Sequence, residues 1–216
     1  MLPSDKFYTS LCAVFAAIII VNNIIYQKFI AITIIPFYPL ELSVGAILYP
    51  FTFFITDIMA ECYGLERARF CIRLGILLGV AALLVIASFS YIPSTTWSKM
   101  STDTYKEIFG LCWVALIGSI IASFISQSVD AKLYIFLRKI TNYKYLWVVN
   151  ISSAIAIFID TSIVVSFVTL FGLVPDEKML SLTLDSYIFK ILMTLCSTPL
   201  FYLLVGRLRK VNYSSK

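Results

Sequence analysis

Six long apolar runs, separated by short polar, basic or proline-containing breaks, set the pattern of this 216-residue chain. They fall at about Thr9–Gln27, Leu42–Tyr63, Cys71–Ile92, Gly110–Leu137, Tyr145–Gly172 and Tyr187–Gly206. Each is close to the roughly 20 apolar residues that a helix needs to cross the hydrocarbon of a bilayer. The breaks carry their own signals. Lys28 closes the first run, and "IPFYP" (Ile35–Pro39) reads as a proline-bounded turn, because Pro removes a donor and pushes its predecessor off the helix. Gly64 stands in a C-cap position, Pro93 stops the third run, and the polar stretch Ser94–Phe109 follows it. A basic tail, Arg207–Lys216, comes after the last run. The pattern predicts an all-α, polytopic membrane protein with six transmembrane helices in one transmembrane domain over residues 1–216. The first run lacks a small-residue cleavage site and is read as a retained helix rather than a signal peptide.

Composition agrees and narrows the chemistry. The chain is 60% hydrophobic and 13% charged, against about 45–50% and about 25% in soluble domains. It contains no histidine, which excludes zincins, Ser-His-Asp hydrolases and histidine proton relays. The cysteines (Cys12, Cys62, Cys71, Cys112, Cys196) show no C-x-x-C spacing and are expected as buried thiols between helices. The glycines are dispersed, without a phosphate-binding loop. No cofactor and no metal site is expected.

The +5 net charge concerns orientation, not nucleic acid. One side of the predicted topology collects eleven Lys and Arg: Lys6, Arg67, Arg69, Arg73, Arg138, Lys139, Lys144, Arg207, Arg209, Lys210 and Lys216. The other side has four, namely Lys28, Lys99, Lys106 and Lys178. The positive-inside rule then predicts that both termini are cytoplasmic.

Six ionisable groups remain inside the runs: Asp57, Glu61, Asp130, Lys132, Asp160 and Lys190. Each costs about 2.5–3.5 kcal/mol at a helix centre, so such residues face one another, water or a ligand. Asp57 and Glu61 are four residues apart and share a helical face, with Thr56 beside them and Arg69 just beyond Gly64. Pairing of either carboxylate with Arg69 at the interface is the structural alternative. Ser119, Ser123, Gln127 and Asp130 descend one stripe of the fourth run, next to Ser126. With Ala115 the serines also form a small-xxx-small series, which suits helix packing as well as a substrate path. Asn150, Ser153 and Asp160 share a stripe of the fifth run, and Lys190, Thr194 and Thr198 one of the sixth. Lys132 reads as a snorkelling side chain, and Lys190 as either a site residue or an interfacial anchor. Asn22 and Asn23 add a polar pair to the outer half of the first run. With every group ionised the four carboxylates exceed the two lysines by two charges, which points away from anionic substrates.

From "YPFTFFITDIMAECYGLERAR" (Tyr49–Arg69) onward the chain resembles the vitamin-uptake-like family of bacterial queuosine precursor transporters. The resemblance rests there on Pro50, Thr52, Thr56, Asp57, Glu61, Tyr63, Gly64, Ala68 and Arg69. It continues through "SFISQSVDAKLYIFLR" (Ser123–Arg138), "LWVVNISS" (Leu146–Ser153), "FIDTSIVVSFVTLFG" (Phe158–Gly172) and "YIFKILMTLCSTPLFY" (Tyr187–Tyr202). Ile157 stands where some family members carry a Gln.

The resemblance implies a six-helix importer of the cell (inner) membrane, not an enzyme, for 7-deazaguanines: 7-cyano-7-deazaguanine, its aminomethyl relative, or queuine. It implies substrate-binding roles for Asp57, Glu61, Gln127, Asp130, Asn150, Asp160 and Lys190, with Asn22, Asn23, Thr56, Arg69, Ser126 and Ser153 as further lining. A carboxylate accepts from the N–H edge of a guanine-like ring, an amide such as Gln127 reads its carbonyl, and aromatic faces stack on it. The expected partners are that small molecule and the bilayer, with no nucleic acid, and homo-oligomerisation stays open. Two other classes fit parts of the pattern. One is a substrate-binding subunit of an energy-coupling-factor vitamin importer, docking through Ala13 and Ala17. The other is an intramembrane enzyme built on paired carboxylates, although the Tyr-Asp and Gly-x-Gly-Asp blocks of intramembrane aspartyl proteases are missing.

Overall fold

The protein was analysed as a computed structural model that describes residues 5–36, 38–140 and 147–214. Within these segments the side chains of 34, 35, 57, 60, 61, 65, 127, 130, 131, 134, 135, 138, 147–150 and 197–214 lie outside the description. The elements run α1 (Asp5–Ile25), β1 (Phe29–Ile35), β2 (Tyr38–Ser43), α2 (Val44–Tyr63), α3 (Leu65–Phe89), α4 (Thr102–Phe109), α5 (Cys112–Ile140), α6 (Trp147–Leu170) and α7 (Met179–Ser214). A 3-10 turn, Asp176–Lys178, precedes α7.

Five described stretches are long and apolar enough to cross a membrane: Asp5–Ile25, Glu66–Phe89, Thr102–Ser126, Ile151–Leu170 and Asp176–Cys196. The described part of α2 adds a further apolar stretch, Val44–Thr56. The protein is therefore a polytopic, mainly α-helical membrane protein. Helices dominate for a physical reason: in hydrocarbon a helix satisfies its own backbone donors and acceptors.

The chain groups into two compact units. One comprises residues 1–30, 43–113 and 192–216, and the other residues 31–42 and 114–191. In the first unit α1 packs on α2 and α3. Its core is Cys12, Phe15, Ile55, Met59, Ala68 and Cys71, with Tyr8, Leu11, Ile18, Ile19 and Ile72 packed around it. Cys12, Cys71 and Cys112 are buried thiols as expected, Cys62 is half-buried, and Cys196 is exposed. α2 and α3 are joined by Gly64 alone, which adopts φ 88°. A Cβ there would meet no neighbour, so the glycine serves the left-handed backbone that turns one helix into the next.

In the second unit α5 and α6 approach closely at Gly118, where an added Cβ would lie 3.0 Å from the Phe167 ring. Ala115, Gly118, Ala122 and Ser126 are buried, whereas Ser119 and Ser123 are only half-buried. The small-residue seam of this helix thus runs through Gly118, Ala122 and Ser126 rather than through the two serines. α6 ends at Leu170 and is closed by Gly172, whose N–H bonds Thr169 O at 2.9 Å while that of Leu173 bonds Val168 O at 3.0 Å. That is the double hydrogen bond of a Schellman cap.

Three features depart from the sequence expectation. The turn at Ile35–Pro39 is the tip of a two-stranded hairpin, β1–β2, which apolar content alone did not announce. α3 begins at Leu65 rather than Cys71, since Arg67, Arg69 and Arg73 are tolerated at its exposed start. α7 begins at Met179 rather than Tyr187, so the polar stretch Ser181–Ser186 is helical.

Candidate functional site

The polar interior of the second unit is built by α6 and α7. On α6 the buried positions Ser152, Ala156, Asp160, Thr161, Val165, Val168 and Thr169 recur at helical spacing. On α7 the corresponding set is Leu182, Thr183, Asp185, Ser186, Phe189 and Lys190. Hydroxyl side chains fit such faces because they can bond within their own helix. Thr161 donates to Ile157 O at 2.8 Å, and Thr183 to Met179 O at 2.7 Å. Asp160 has no such recourse, since an ionised carboxylate only accepts.

Its partner is Lys190. The ammonium Nζ lies 2.9 Å from Asp160 Oδ2 and 3.1 Å from Thr161 Oγ1. Both charged residues are buried, at 4% and 7% exposure. The pair is intact, yet among the described residues the carboxylate is only half satisfied: Oδ1 is buried and has no hydrogen-bond partner there. A buried acceptor without a donor costs about 1–3 kcal/mol, more when it is charged. An incoming N–H would remove that cost. Phe158, two residues before Asp160 and exposed, and Tyr187, three residues before Lys190, meet edge to face with ring centroids 5.3 Å apart.

A second buried carboxylate, Asp185, went unread in the sequence. It is 2% exposed, and both oxygens are engaged by the hairpin. The Tyr38 hydroxyl donates to Oδ1 at 2.9 Å and the Glu41 N–H to Oδ2 at 2.9 Å. Lys178 adds a bidentate contact to Glu41, at 2.9 and 2.8 Å. The hydrogen bond to Asp185 pushes the Tyr38 hydroxyl above its ordinary pKa of 10.0, with the carboxylate's charge acting in the same direction. Asp185 is therefore an anchor for the hairpin rather than a free ligand group. Its only signal in the sequence was an Asp five residues before Lys190 in a stretch that looked like a loop.

The first unit holds Asn22, buried at 7% exposure, whose amide nitrogen and carbonyl oxygen find no hydrogen-bond partner among the described residues. Asn23 donates to Ile19 O at 2.7 Å, as a packed helical amide does. Gly45 lies against this turn: an added Cβ would sit 2.5 Å from the Asn22 carbonyl oxygen, so only glycine admits this approach of α2 to α1. At the far end of α1, Arg67 stacks over Tyr8 and Tyr63 at 5.3 and 5.8 Å and reaches Asp5 at 3.4 Å.

Of the residues expected to bind substrate, the structure brings Asp160 and Lys190 together and buries both. Lys190 is thus buried in an ion pair rather than exposed on the helix surface. The side chains of Asp57, Glu61, Gln127, Asp130 and Asn150 lie outside the described residues, although their backbones are helical. Among the expected lining residues, Asn22, Asn23 and Ser126 are buried, and Thr56 and Ser153 are half-buried. Arg69 is exposed, and the exposed side chain of Lys132 fits a snorkelling role. Thr56 bonds Phe53 O at 2.9 Å and Ser126 bonds Ser123 O at 3.3 Å, so both hydroxyls are engaged within their own helices.

Comparisons with known proteins agree with this membrane architecture. The sequence profile of the family described as "Putative vitamin uptake transporter" matches residues 43–204. A curated relative from Bacillus subtilis (strain 168), named "Probable queuosine precursor transporter", is 28% identical over 165 residues, covering 76% of this chain and 71% of the relative. No solved structure matches the chain.

Proposed function

This chain belongs to the vitamin uptake transporter family just described, and from that premise we propose that it imports queuosine precursors across the cell (inner) membrane. The substrates on this reading are 7-deazaguanines: 7-cyano-7-deazaguanine, its aminomethyl form, or queuine. The observation that carries the reading is the half-satisfied carboxylate of Asp160, buried in α6 beside Lys190. A 7-deazaguanine offers N1–H and a 2-amino group on one edge, and Oδ1 of Asp160 accepts from such a donor. Lys190 engages Oδ2 of the same carboxylate at 2.9 Å, which leaves the substrate's donor to Oδ1. Substrate-binding roles for Asp57, Glu61, Gln127, Asp130 and Asn150 are proposed from the family resemblance, the carboxylates favouring the cationic aminomethyl and queuine side chains.

The transporter family implies a carrier rather than an enzyme. A substrate-binding subunit of an energy-coupling-factor importer is the second reading. It is favoured by one observation: Ala13 and Ala17 lie on an exposed face of α1 rather than in its packed core. The test is uptake in a host that cannot synthesise queuosine precursors and lacks energy-coupling-factor proteins. Expression of this chain is expected to restore queuosine in tRNA from exogenous precursor, and unlabelled 7-deazaguanines to compete with one another. Failure with all three compounds contradicts the reading. Restoration only when coupling subunits are supplied selects the second.

A further inference from the structure

A carrier that releases its substrate must return empty, and a bare carboxylate makes that return expensive. Closing protein around an unpaired charge costs several kcal/mol even after relaxation. Three remedies exist: a proton on the carboxylate, a cation taken from solution, or a cation supplied by the protein itself. The last is what stands at Asp160. Its Oδ2 is 2.9 Å from Lys190 Nζ, and the ammonium is held from a second side by Thr161 Oγ1 at 3.1 Å. Thr161 can accept there because its own proton is committed to Ile157 O at 2.8 Å. Asp160, Thr161 and Lys190 all belong to one compact unit, so the arrangement survives any motion that leaves that unit intact.

Resting on the importer reading above, we propose that Lys190 is the resident counter-cation of Asp160, which lets the empty site reorient without taking up a proton. Transport is then uniport, indifferent to the proton gradient, and Oδ1 remains open to the substrate's N–H while Oδ2 keeps its ammonium. Among the described residues, the other titratable groups of the elements packed here do not offer a substitute. Asp185 is bound by the Tyr38 hydroxyl and the Glu41 N–H, and Glu41 by Lys178. The Tyr187 ring lies against Phe158. On α5, Lys132 and Lys139 are exposed, and the side chains of Asp130 and Arg138 lie outside the described residues. The chain has no histidine to carry a proton.

The experiment uses the purified full chain in liposomes with radiolabelled 7-cyano-7-deazaguanine, a substrate without a side-chain charge. Wild-type uptake is expected to be unchanged when an imposed pH gradient is collapsed, with no proton movement reported by an internal dye. In Lys190→Gln, net uptake at alkaline pH is expected to fall by about tenfold or more, since a buried carboxylate loses its partner. An imposed inward proton gradient is expected to restore it. The Asp160→Asn/Lys190→Gln double variant, with no charge to neutralise, is expected to lose affinity yet stay gradient-independent. Wild-type uptake that collapses with the gradient overturns the proposal while leaving the importer reading intact. So does undiminished, gradient-independent net uptake by Lys190→Gln. Absence of wild-type uptake for every 7-deazaguanine under every gradient overturns the importer reading and this inference together.

Discussion

Asp160 and Lys190 are worth more together than apart. Removing one partner of a buried ion pair leaves the other charge stranded, at about 3–5 kcal/mol, whereas replacing both with neutral groups is often close to neutral. Lys190→Met is therefore expected to lower thermal stability in detergent strongly, Asp160→Asn similarly, and the double variant far less than their sum. A double-mutant cycle on melting midpoints measures this, and simple additivity contradicts the pairing. Both residues were legible as intramembrane charges because apolar surroundings make an Asp or Lys conspicuous. Their pairing was not legible, since thirty residues separate them and no local periodicity links α6 to α7. Asp185 escaped for the opposite reason: flanked by Thr183 and Ser186, it looked like an ordinary polar loop residue.

The hairpin and the first turns of α7 form one element in energetic terms. β1 carries the β-branched run Ile30, Ile32, Thr33, Ile34 and Ile35, which favours a strand. As an apolar stretch it also passes for the end of a span, so the sequence pointed only to the prolines of its turn. β2 buries Leu40 and Leu42 completely, and Asp185 accepts two hydrogen bonds from its backbone and side chain. The direction of the Tyr38 shift gives a pH dependence. A tyrosine whose folded pKa is raised above 10.0 contributes its hydrogen bond fully below that value. The contribution is lost as pH rises through the folded pKa, when phenolate and carboxylate repel. Amide hydrogen exchange in β2 is thus expected to stay slow through neutral pH, after correction for the intrinsic pH dependence of exchange. Protection is expected to drop only under strongly alkaline conditions. Tyr38→Phe removes the alkaline step, and Asp185→Asn loosens the hairpin already at neutral pH. An unchanged alkaline step in Tyr38→Phe contradicts the assignment.

For the whole molecule, hydropathy was sufficient to identify a polytopic helical membrane protein, because the bilayer admits few other solutions. The ends of helices were the weak part: polar first turns, as in α3 and α7, are helical but not hydrophobic. Orientation rests on charge counting. With eleven basic residues gathered on one side of the expected topology, we propose that both termini are cytoplasmic. A reporter active only in the cytoplasm is expected to function at either terminus, and a reporter active only outside to be silent at both. The reverse pattern contradicts the proposed topology.

The most direct test of the central claim, that Asp160 holds a 7-deazaguanine in transit, is saturable accumulation of labelled 7-cyano-7-deazaguanine in liposomes containing the purified protein. Wild type is expected to accumulate the compound well above protein-free liposomes. Asp160→Asn, checked for folding by its melting profile, is expected to lose about tenfold or more, the equivalent of one charge-assisted hydrogen bond. Accumulation no greater than in protein-free liposomes, or undiminished in Asp160→Asn, would contradict the account.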